Sequence, residues 1–335
     1  MRLSRGGIAH LAGYIERDLE IRETSLHKPH IASLADLAAC ALTSKSVNTG
    51  EWISILPRKC DDKSKERFIS RVLSNPLIKP LEVMEGFVPE LIEMMGSSGK
   101  TVVLMMDQSK VSNGFECLMI SARTGDRAIP FAWRVVKTEG NIGFEDQRLL
   151  LDWLKAVAPK DIKILLSADR FYGTQALIEW CREAKWQYRI RLKSNLNLRH
   201  EGGDLTTGEA VSLKLSGLES AQLKGVQTNI GILHEKGHKE PWIIAMDCKP
   251  TKYRTLDYGM RWGIESLFSD FKSRGFGITQ THLGHADRIE RLILVLTLGY
   301  YWAASTGMEP PKIKPRVTKK KPTVPWSHSS KKGSE

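Results

Sequence analysis

Seven short segments between residues 101 and 192 constrain the fold more than any other feature of the chain. Three apolar runs separated by turn residues come first, and helical spacing then alternates with further apolar runs. In chain order the segments read TVVLMM, FECLMISA, AIPFAWRVV, FEDQRLLLDWLKAVA, DIKILLSA, QALIEWCREA and QYRIRL. The order β-β-β-α-β-α-β predicts an α/β fold, a mixed sheet with helices packed on its faces.

Two aspartates directly follow apolar runs of this pattern. Asp107 comes after TVVLMM, and Asp169 comes after DIKILLSA. Active sites of mixed α/β folds gather at the sheet edge where strands end. If these two strands lie side by side in parallel, the carboxylates come close together and repel one another, so a divalent cation is their natural partner. Oxygen-only ligands favour Mg²⁺ or Mn²⁺ over zinc.

The segment YGMRWGIESLFSDFKSRGF, residues 258–276, predicts one helix with an apolar face and a polar edge. At about 100° per residue, four side chains fall on a single stripe: Tyr258, Arg261, Glu265 and Lys272. Glu265 could complete a trio of carboxylates with the two aspartates, while the side chains of Arg261 and Lys272 hold phosphate oxygens. The alternative is an ordinary i,i+4 ion pair between Arg261 and Glu265 on a solvated helix.

The same residues carry a resemblance to a known family. The spacing Y-(2)-R-(3)-E-(6)-K resembles the signature of DDE insertion-sequence transposases of the insertion sequence four family. MDQS and ADRFYG are similar to that family's first and second aspartate motifs. The resemblance extends from about residue 100 to about residue 305. It implies a ribonuclease H-like catalytic core, interrupted by a β-rich domain between the second aspartate and the glutamate.

The resemblance also implies a role for each matched residue. The catalytic residues, which would bind two Mg²⁺ or Mn²⁺ ions, are Asp107, Asp169 and Glu265. The residues that would contact DNA phosphates are Tyr258, Arg261, Lys272 and Arg170. The implied activity is cut-and-paste transposition: a homodimer on DNA hydrolyses the element ends and transfers the freed 3′ hydroxyl into target DNA.

Two other functions fit the same residues. One is a ribonuclease H-like nuclease without strand transfer, and the other is a catalytically silent DNA-binding descendant, which the complete residue set argues against. Some members of the family hold a flipped base on an aromatic residue of the insertion, and Trp242 is either its counterpart or a core residue. HEKGH, residues 234–238, offers two histidines without a third ligand, which argues against zinc.

Changes in composition and in the pattern of apolar residues divide the chain into five regions. Residues 1–98 predict a helical region for DNA binding or dimerisation, and residues 99–192 the first part of the catalytic core. Residues 193–249 predict a β-rich insertion, in which the alternating stretch AVSLKL is a strand. Residues 250–308 hold the second part of the core with the glutamate helix. Residues 309–335 predict a disordered basic tail.

Charge favours a polyanionic partner, because the formal net charge is +12 and residues 310–335 supply +7 of it. Five cysteines without a C-x-x-C pair, and an N-terminus without an apolar leader, predict a prokaryotic cytoplasmic protein associated with the nucleoid. Residues 292–308 form an uncharged run with several small and polar residues. We predict a buried core helix there and no contact with a membrane.

Overall fold

The computed structural model describes residues 5–305 except residues 23, 25 and 235–239. Helices precede the first strand: α1 (Arg5–Ile21), α2 (Lys28–Ser44), α3 (Thr49–Ile55), α4 (Asp62–Leu73), α5 (Pro80–Met84) and α6 (Val88–Gly96). Side-chain caps begin two of them, since Asn48 accepts a hydrogen bond from the amide of Gly50 and Asp61 accepts one from the amide of Ser64. The helical N-terminal region predicted from the sequence is confirmed.

Ten strands of the described residues form one mixed sheet. They are β1 (Val102–Ser112), β2 (Phe115–Thr124), β3 (Arg127–Lys137), β4 (Ile164–Ala168), β5 (Gln187–Arg191), β6 (Asn197–His200), β7 (Gly203–Thr206), β8 (Gly217–Leu223), β9 (Val226–Leu233) and β10 (Trp242–Met246). Their order is β3-β2-β1-β4-β5-β10-β9-β8-β6-β7. β1, β4 and β5 are parallel, whereas β1, β2 and β3 form an antiparallel meander.

The element order predicted for residues 101–192 is confirmed. The helices α7 (Phe144–Val157) and α8 (Gln175–Glu183) stand on either side of β4 in the chain. Every residue of β4 is buried, as expected for a central parallel strand covered on both faces. The first apolar run and DIKILLSA therefore become neighbouring strands, which is the condition for the two aspartates to meet.

The prediction that the first strand ends at Asp107 is wrong. β1 continues to Ser112, and beyond position 107 its strand pairing is with β2 alone among the described residues. Its parallel pairing with β4 ends at Met106, which lies opposite Ala168. The polar residues after Asp107 concealed this continuation, because they lie where β4 no longer covers the strand.

The insertion extends the same sheet. β10 pairs antiparallel with β5, and the other strands of the insertion follow outward from β10. The strand predicted at AVSLKL is wrong, since helix α9 (Thr207–Ser212) occupies its first half. A capping box between Thr206 and Glu209 nucleates this short helix, and that local signal prevails over the alternating pattern.

One continuous helix over residues 258–276 is also wrong. After α10 (Lys252–Leu256) comes a 3₁₀ turn, Asp257–Trp262, and then α11 (Gly263–Phe271). Lys272 leaves the helix with φ −91° and ψ −131°, and the amide of Gly277 bonds back to its carbonyl. A 3₁₀ turn advances by about 120° per residue, so the four side chains do not share one strict stripe.

The last described element is α12 (Ala286–Ser305). It confirms the buried apolar helix over the described part of residues 292–308. Within residues 5–305, as far as they are described, no helix is long and apolar enough to cross a membrane. The predicted basic tail, 309–335, and most of HEKGH, 234–238, lie outside the described residues.

Candidate active site

Asp107 lies on β1 and Asp169 directly follows β4, at the point where the parallel pairing of these two strands ends. Met106 and Ala168 are register partners, and the two aspartates are the next residues on each chain. Adjacent strands are about 4.8 Å apart, so the register alone makes the two side chains neighbours. Each carboxylate accepts a hydrogen bond from the following amide: Gln108 at 2.9 Å for Asp107, and Arg170 at 2.6 Å for Asp169.

Arg261 connects Asp107 to Glu265. Its Nη1 donates to Oδ2 of Asp107 at 2.8 Å, and its Nη2 donates to Oε1 of Glu265 at 2.9 Å. Arg261 is only 6% exposed, whereas the Glu265 side chain is 57% exposed. Arg261 is therefore buried, whereas Glu265, one turn later at the start of α11, stays largely exposed.

Tyr258 extends the network to the second aspartate. Its hydroxyl donates to Oδ1 of Asp169 at 3.3 Å and accepts from Nε of Arg261 at 3.2 Å. The ring is buried and packs edge-to-face on Trp242, with centroids 5.2 Å apart. Trp242 is itself 3% exposed, so it lies in the core and presents no face on which a base could stack.

Burial controls the charge states of this cluster. It raises the pKa of Asp107 above its ordinary value, which Arg261 opposes and the charge of Asp169 reinforces. Burial also raises the pKa of Tyr258 to about 12, so the phenol is a neutral donor. Burial alone would favour the neutral form of Arg261, but Tyr258 and the three carboxylates hold its pKa above the ordinary value.

The other two residues predicted to contact DNA lie outside this buried network. The ammonium of Lys272 donates to the hydroxyl of Ser109 on β1. Arg170 is 44% exposed and pairs with Glu240 at 2.9 Å. The structure therefore gathers Asp107, Asp169, Glu265, Tyr258 and Arg261 into one hydrogen-bonded cluster and places the remaining two cations beside it.

A cleft of about 360 Å³ opens over the two aspartates, with Phe171 on its wall. Gln108 fixes its rim, since Oε1 accepts from the amide of Ile142 at 2.9 Å and Nε2 donates to the carbonyl of Gly140 at 3.2 Å. We did not predict this role for Gln108. Its signal was a long polar side chain in the middle of a strand, where an amide needs partners.

Arg189 is a second residue that the sequence analysis missed. It is 3% exposed and donates to Asp247 at 2.8 Å, to the carbonyl of Arg254 at 2.9 Å and to Asp257 at 3.5 Å. These bonds hold the chain that enters the 3₁₀ turn against β5. An arginine between Tyr188 and Ile190, in the apolar centre of QYRIRL, was the available signal.

The donor chemistry of the cluster suits a hard divalent cation. Asp107 and Asp169 are neighbouring carboxylates whose charges oppose one another, and Glu265 offers a third set of oxygens. In the described residues, however, no three His, Cys, Asp or Glu side chains come together closely enough to hold one metal ion. Arg261, bonded to two of the carboxylates, supplies the compensating charge in this arrangement.

Fold and cluster together define an α/β protein with carboxylates gathered at the end of parallel pairing in a mixed sheet. Residues 143–302 match the sequence model of the family described as Transposase DDE domain. The match indicates a catalytic transposase; its range begins after Asp107 and spans the other four residues of the cluster. The narrower assignment to the insertion sequence four family stays a prediction. None of the curated proteins compared with the chain matches it.

Proposed function

We propose that the chain is a DDE transposase that cuts DNA at the ends of a mobile element and joins the freed ends to target DNA. The observation that carries the proposal is the cluster itself: hydrogen bonds from Arg261 and Tyr258 link three carboxylates, which come from β1, the turn after β4 and α11. The match of residues 143–302 to the Transposase DDE domain model supports the same function. The β-β-β-α-β-α-β order supports a ribonuclease H-like core.

The chemistry has two steps. Water attacks the scissile phosphorus and the P–O3′ bond breaks, leaving a 3′ hydroxyl and a 5′ phosphate. The 3′ hydroxyl then attacks a phosphorus of target DNA, so one phosphodiester forms as another breaks. Asp107, Asp169 and Glu265 would hold two Mg²⁺ or Mn²⁺ ions, which supply charge stabilisation and lower the pKa of a bound water.

The remaining residues orient the site and the substrate. Tyr258 and Arg261 are buried and bonded to the carboxylates, so their first task is to hold these in place. A phosphate contact by Arg261 requires it to exchange a carboxylate partner for a phosphate oxygen. Lys272 and the more exposed Arg170 would contact phosphates beside the cluster, a role that their positions next to it support. We propose a homodimer on DNA as the working assembly.

The test uses the purified chain and DNA that carries the inverted repeats flanking its gene. Transposase activity predicts 3′ hydroxyl ends released at the repeats with Mg²⁺ or Mn²⁺, followed by joined products in target DNA. Cleavage without joining would favour a nuclease instead. DNA binding without cleavage under any of these conditions would favour a catalytically silent descendant and would refute the proposal.

A further inference from the structure

Two arginines from different elements converge on one carboxylate oxygen beside the cluster. Nη1 of Arg170 lies 2.9 Å from Oε2 of Glu240, and Nη2 of Arg191 lies 3.5 Å from the same atom. Arg170 begins the 3₁₀ turn after β4, and Arg191 is the last residue of the neighbouring β5. The sheet therefore fixes the two guanidinium groups at one edge, next to Asp169.

Stability is a poor explanation for this arrangement. The side chains of Glu240 and Arg170 are 64% and 44% exposed, and exposed ion pairs contribute little to folding. Two guanidinium groups held close together repel each other unless an anion lies between them. The edge of the sheet thus presents a built anion site, which Glu240 reaches from the insertion.

We propose that Arg170 and Arg191 bind a backbone phosphate of DNA and that Glu240 occupies this site in the free chain. The inference rests on the proposed function and adds to it Arg191, which no motif assigned, and a competing acid. Guanidinium forks match the geometry of phosphate oxygens, and a phosphate in DNA carries the same single charge as the carboxylate it displaces.

The position of the site fits a phosphate close to the reacting one. Arg170 directly follows Asp169, and Arg191 is the last residue of β5, the strand that pairs with β4. Lys193, which is exposed, adds a third cation at this edge, with its ammonium 5.9 Å from the centroid of Phe171. Phe171 lines the cleft over the aspartates.

Substituting the competing acid, Glu240, gives the sharpest test. Loss of a negative charge by itself also favours DNA binding, so the test needs a control that loses the same charge elsewhere. Glu219→Gln is the matched control: Glu219 is an exposed acid of the same insertion, paired with Lys249 at 3.0 Å. Binding of a labelled DNA duplex is measured by fluorescence anisotropy without divalent cations, so that no cleavage occurs. We expect Glu240→Gln to tighten the Kd by about three- to tenfold and Glu219→Gln by less than about twofold.

Arginine variants complete the test. Arg170→Gln and Arg191→Gln should each weaken binding by about three- to tenfold, and each should reduce the slope of log Kd against log salt by up to about one. Adding Glu240→Gln to the double arginine variant should then gain no more than Glu219→Gln does. Thermal melting of each variant excludes unfolding as the cause.

The possible failures are distinguishable. If the wild-type chain binds DNA and Glu240→Gln behaves like Glu219→Gln, the phosphate site is refuted while the transposase proposal stands. Equal gains from Glu240→Gln with and without the two arginines would refute it as well. If the wild-type chain binds no DNA duplex even at low salt, the proposed function is refuted, and the phosphate site is refuted with it.

Discussion

Arg261 combines burial with three polar partners, and this changes what its substitution should do. Its guanidinium bonds to Asp107, Glu265 and Tyr258 while only 6% of the residue is exposed. A solvated i,i+4 pair with Glu265 would contribute only about 0.3–0.5 kcal/mol. The additional bond to Asp107, whose side chain is mostly shielded from solvent, makes Arg261 part of the structure of the site.

Arg261→Gln should therefore lower the free energy of unfolding by about 3–5 kcal/mol, because it leaves Asp107, whose side chain is only 18% exposed, without its cation. Urea denaturation followed by tryptophan fluorescence measures the change. Glu265→Gln is the matched control, since Glu265 is more than half exposed and its loss should cost under about 1 kcal/mol. Equal stability of wild type and Arg261→Gln would contradict a structural role for the arginine.

Asp107→Asn, Asp169→Asn and Glu265→Gln should each reduce cleavage to below about 1% of the wild-type rate, since each removes a proposed metal ligand. DNA binding should remain within about twofold, because the positive side chains are unchanged. Cleavage of labelled element ends with Mg²⁺, run beside anisotropy on the same DNA, gives both quantities. A variant that still cleaves above this level would remove its residue from the site.

At the scale of single residues, the sequence supplied the identities but not the contacts. Asp107, Asp169 and Glu265 could be selected because strand order and motif spacing are local properties. That Arg261 turns inward could not, because its burial depends on how the 3₁₀ turn docks on β1 and β4. Gln108, Arg189 and Glu240 were missed for the same reason: their partners are far away in the chain.

At the scale of elements, α12 ties the sheet to the N-terminal helices. Glu290 accepts a hydrogen bond from the amide of Val135 on β3 at 2.9 Å. The next residue, Arg291, donates to the carbonyls of Ile78 at 3.0 Å and Leu73 at 3.1 Å. Leu73 is the last residue of α4, so its carbonyl has no partner within its own helix.

Arg291→Met should lower the free energy of unfolding by about 2–4 kcal/mol, because two buried carbonyls lose their donor while the apolar volume is largely kept. Chemical denaturation measures it. Arg288→Met, one turn earlier on the same helix at a partly exposed position, is the control and should change stability by less than about 1 kcal/mol. Similar losses in both variants would argue that only helix charge matters.

Glu290 gives the element a pH dependence. Burial raises its pKa above the ordinary value of 4.5, against the opposing effects of the Val135 amide, Arg134 and Arg291; the charge of Asp287 also raises it. The folded chain therefore retains this proton to higher pH than the unfolded chain, and the contribution to stability falls as pH rises above 4.5. Glu290→Gln should remove that loss, so its melting temperature relative to wild type should be higher at pH 7 than at pH 4.

A melting difference that is independent of pH would show that Glu290 titrates alike in the folded and unfolded chains. Glu219→Gln on β8 serves again as the control for the loss of one negative charge at an exposed position. The melting curves at pH 4 and pH 7 are recorded at equal ionic strength, because salt screens the interactions between surface charges.

At the scale of the whole molecule, charge is unevenly distributed along the chain. Residues 312–332 contain eight Lys or Arg, and little apolar sequence accompanies them. Truncation after Gly307 should weaken non-specific DNA binding and flatten the dependence of log Kd on log salt, because fewer phosphates are neutralised. Anisotropy titrations over a range of salt concentrations measure the slope. An unchanged slope would mean that this segment does not contact DNA.

The predicted fold succeeded where the pattern was regular over long stretches and failed at junctions. Residues 101–192 alternate clearly enough to give the order of strands and helices. The end of β1, the helix α9 and the break at Lys272 depended on pairing, capping and backbone geometry, which periodicity does not record. The joining of the insertion to β5 is a contact between distant segments, and no local pattern announces it.

That joining has a consequence for how the chain behaves at high concentration. Without β10, the flank of β5 would be an open ladder of amides and carbonyls around the buried residues Tyr188 and Ile190, ready to pair with another chain. With the insertion in place, the edge strand on this side of the sheet is β7. This strand has only four residues, and two of them, Gly203 and Asp204, are exposed. A short, charged margin is a poor template for intermolecular strand pairing. By covering β5, the insertion should therefore also make the parallel strands less prone to aggregation.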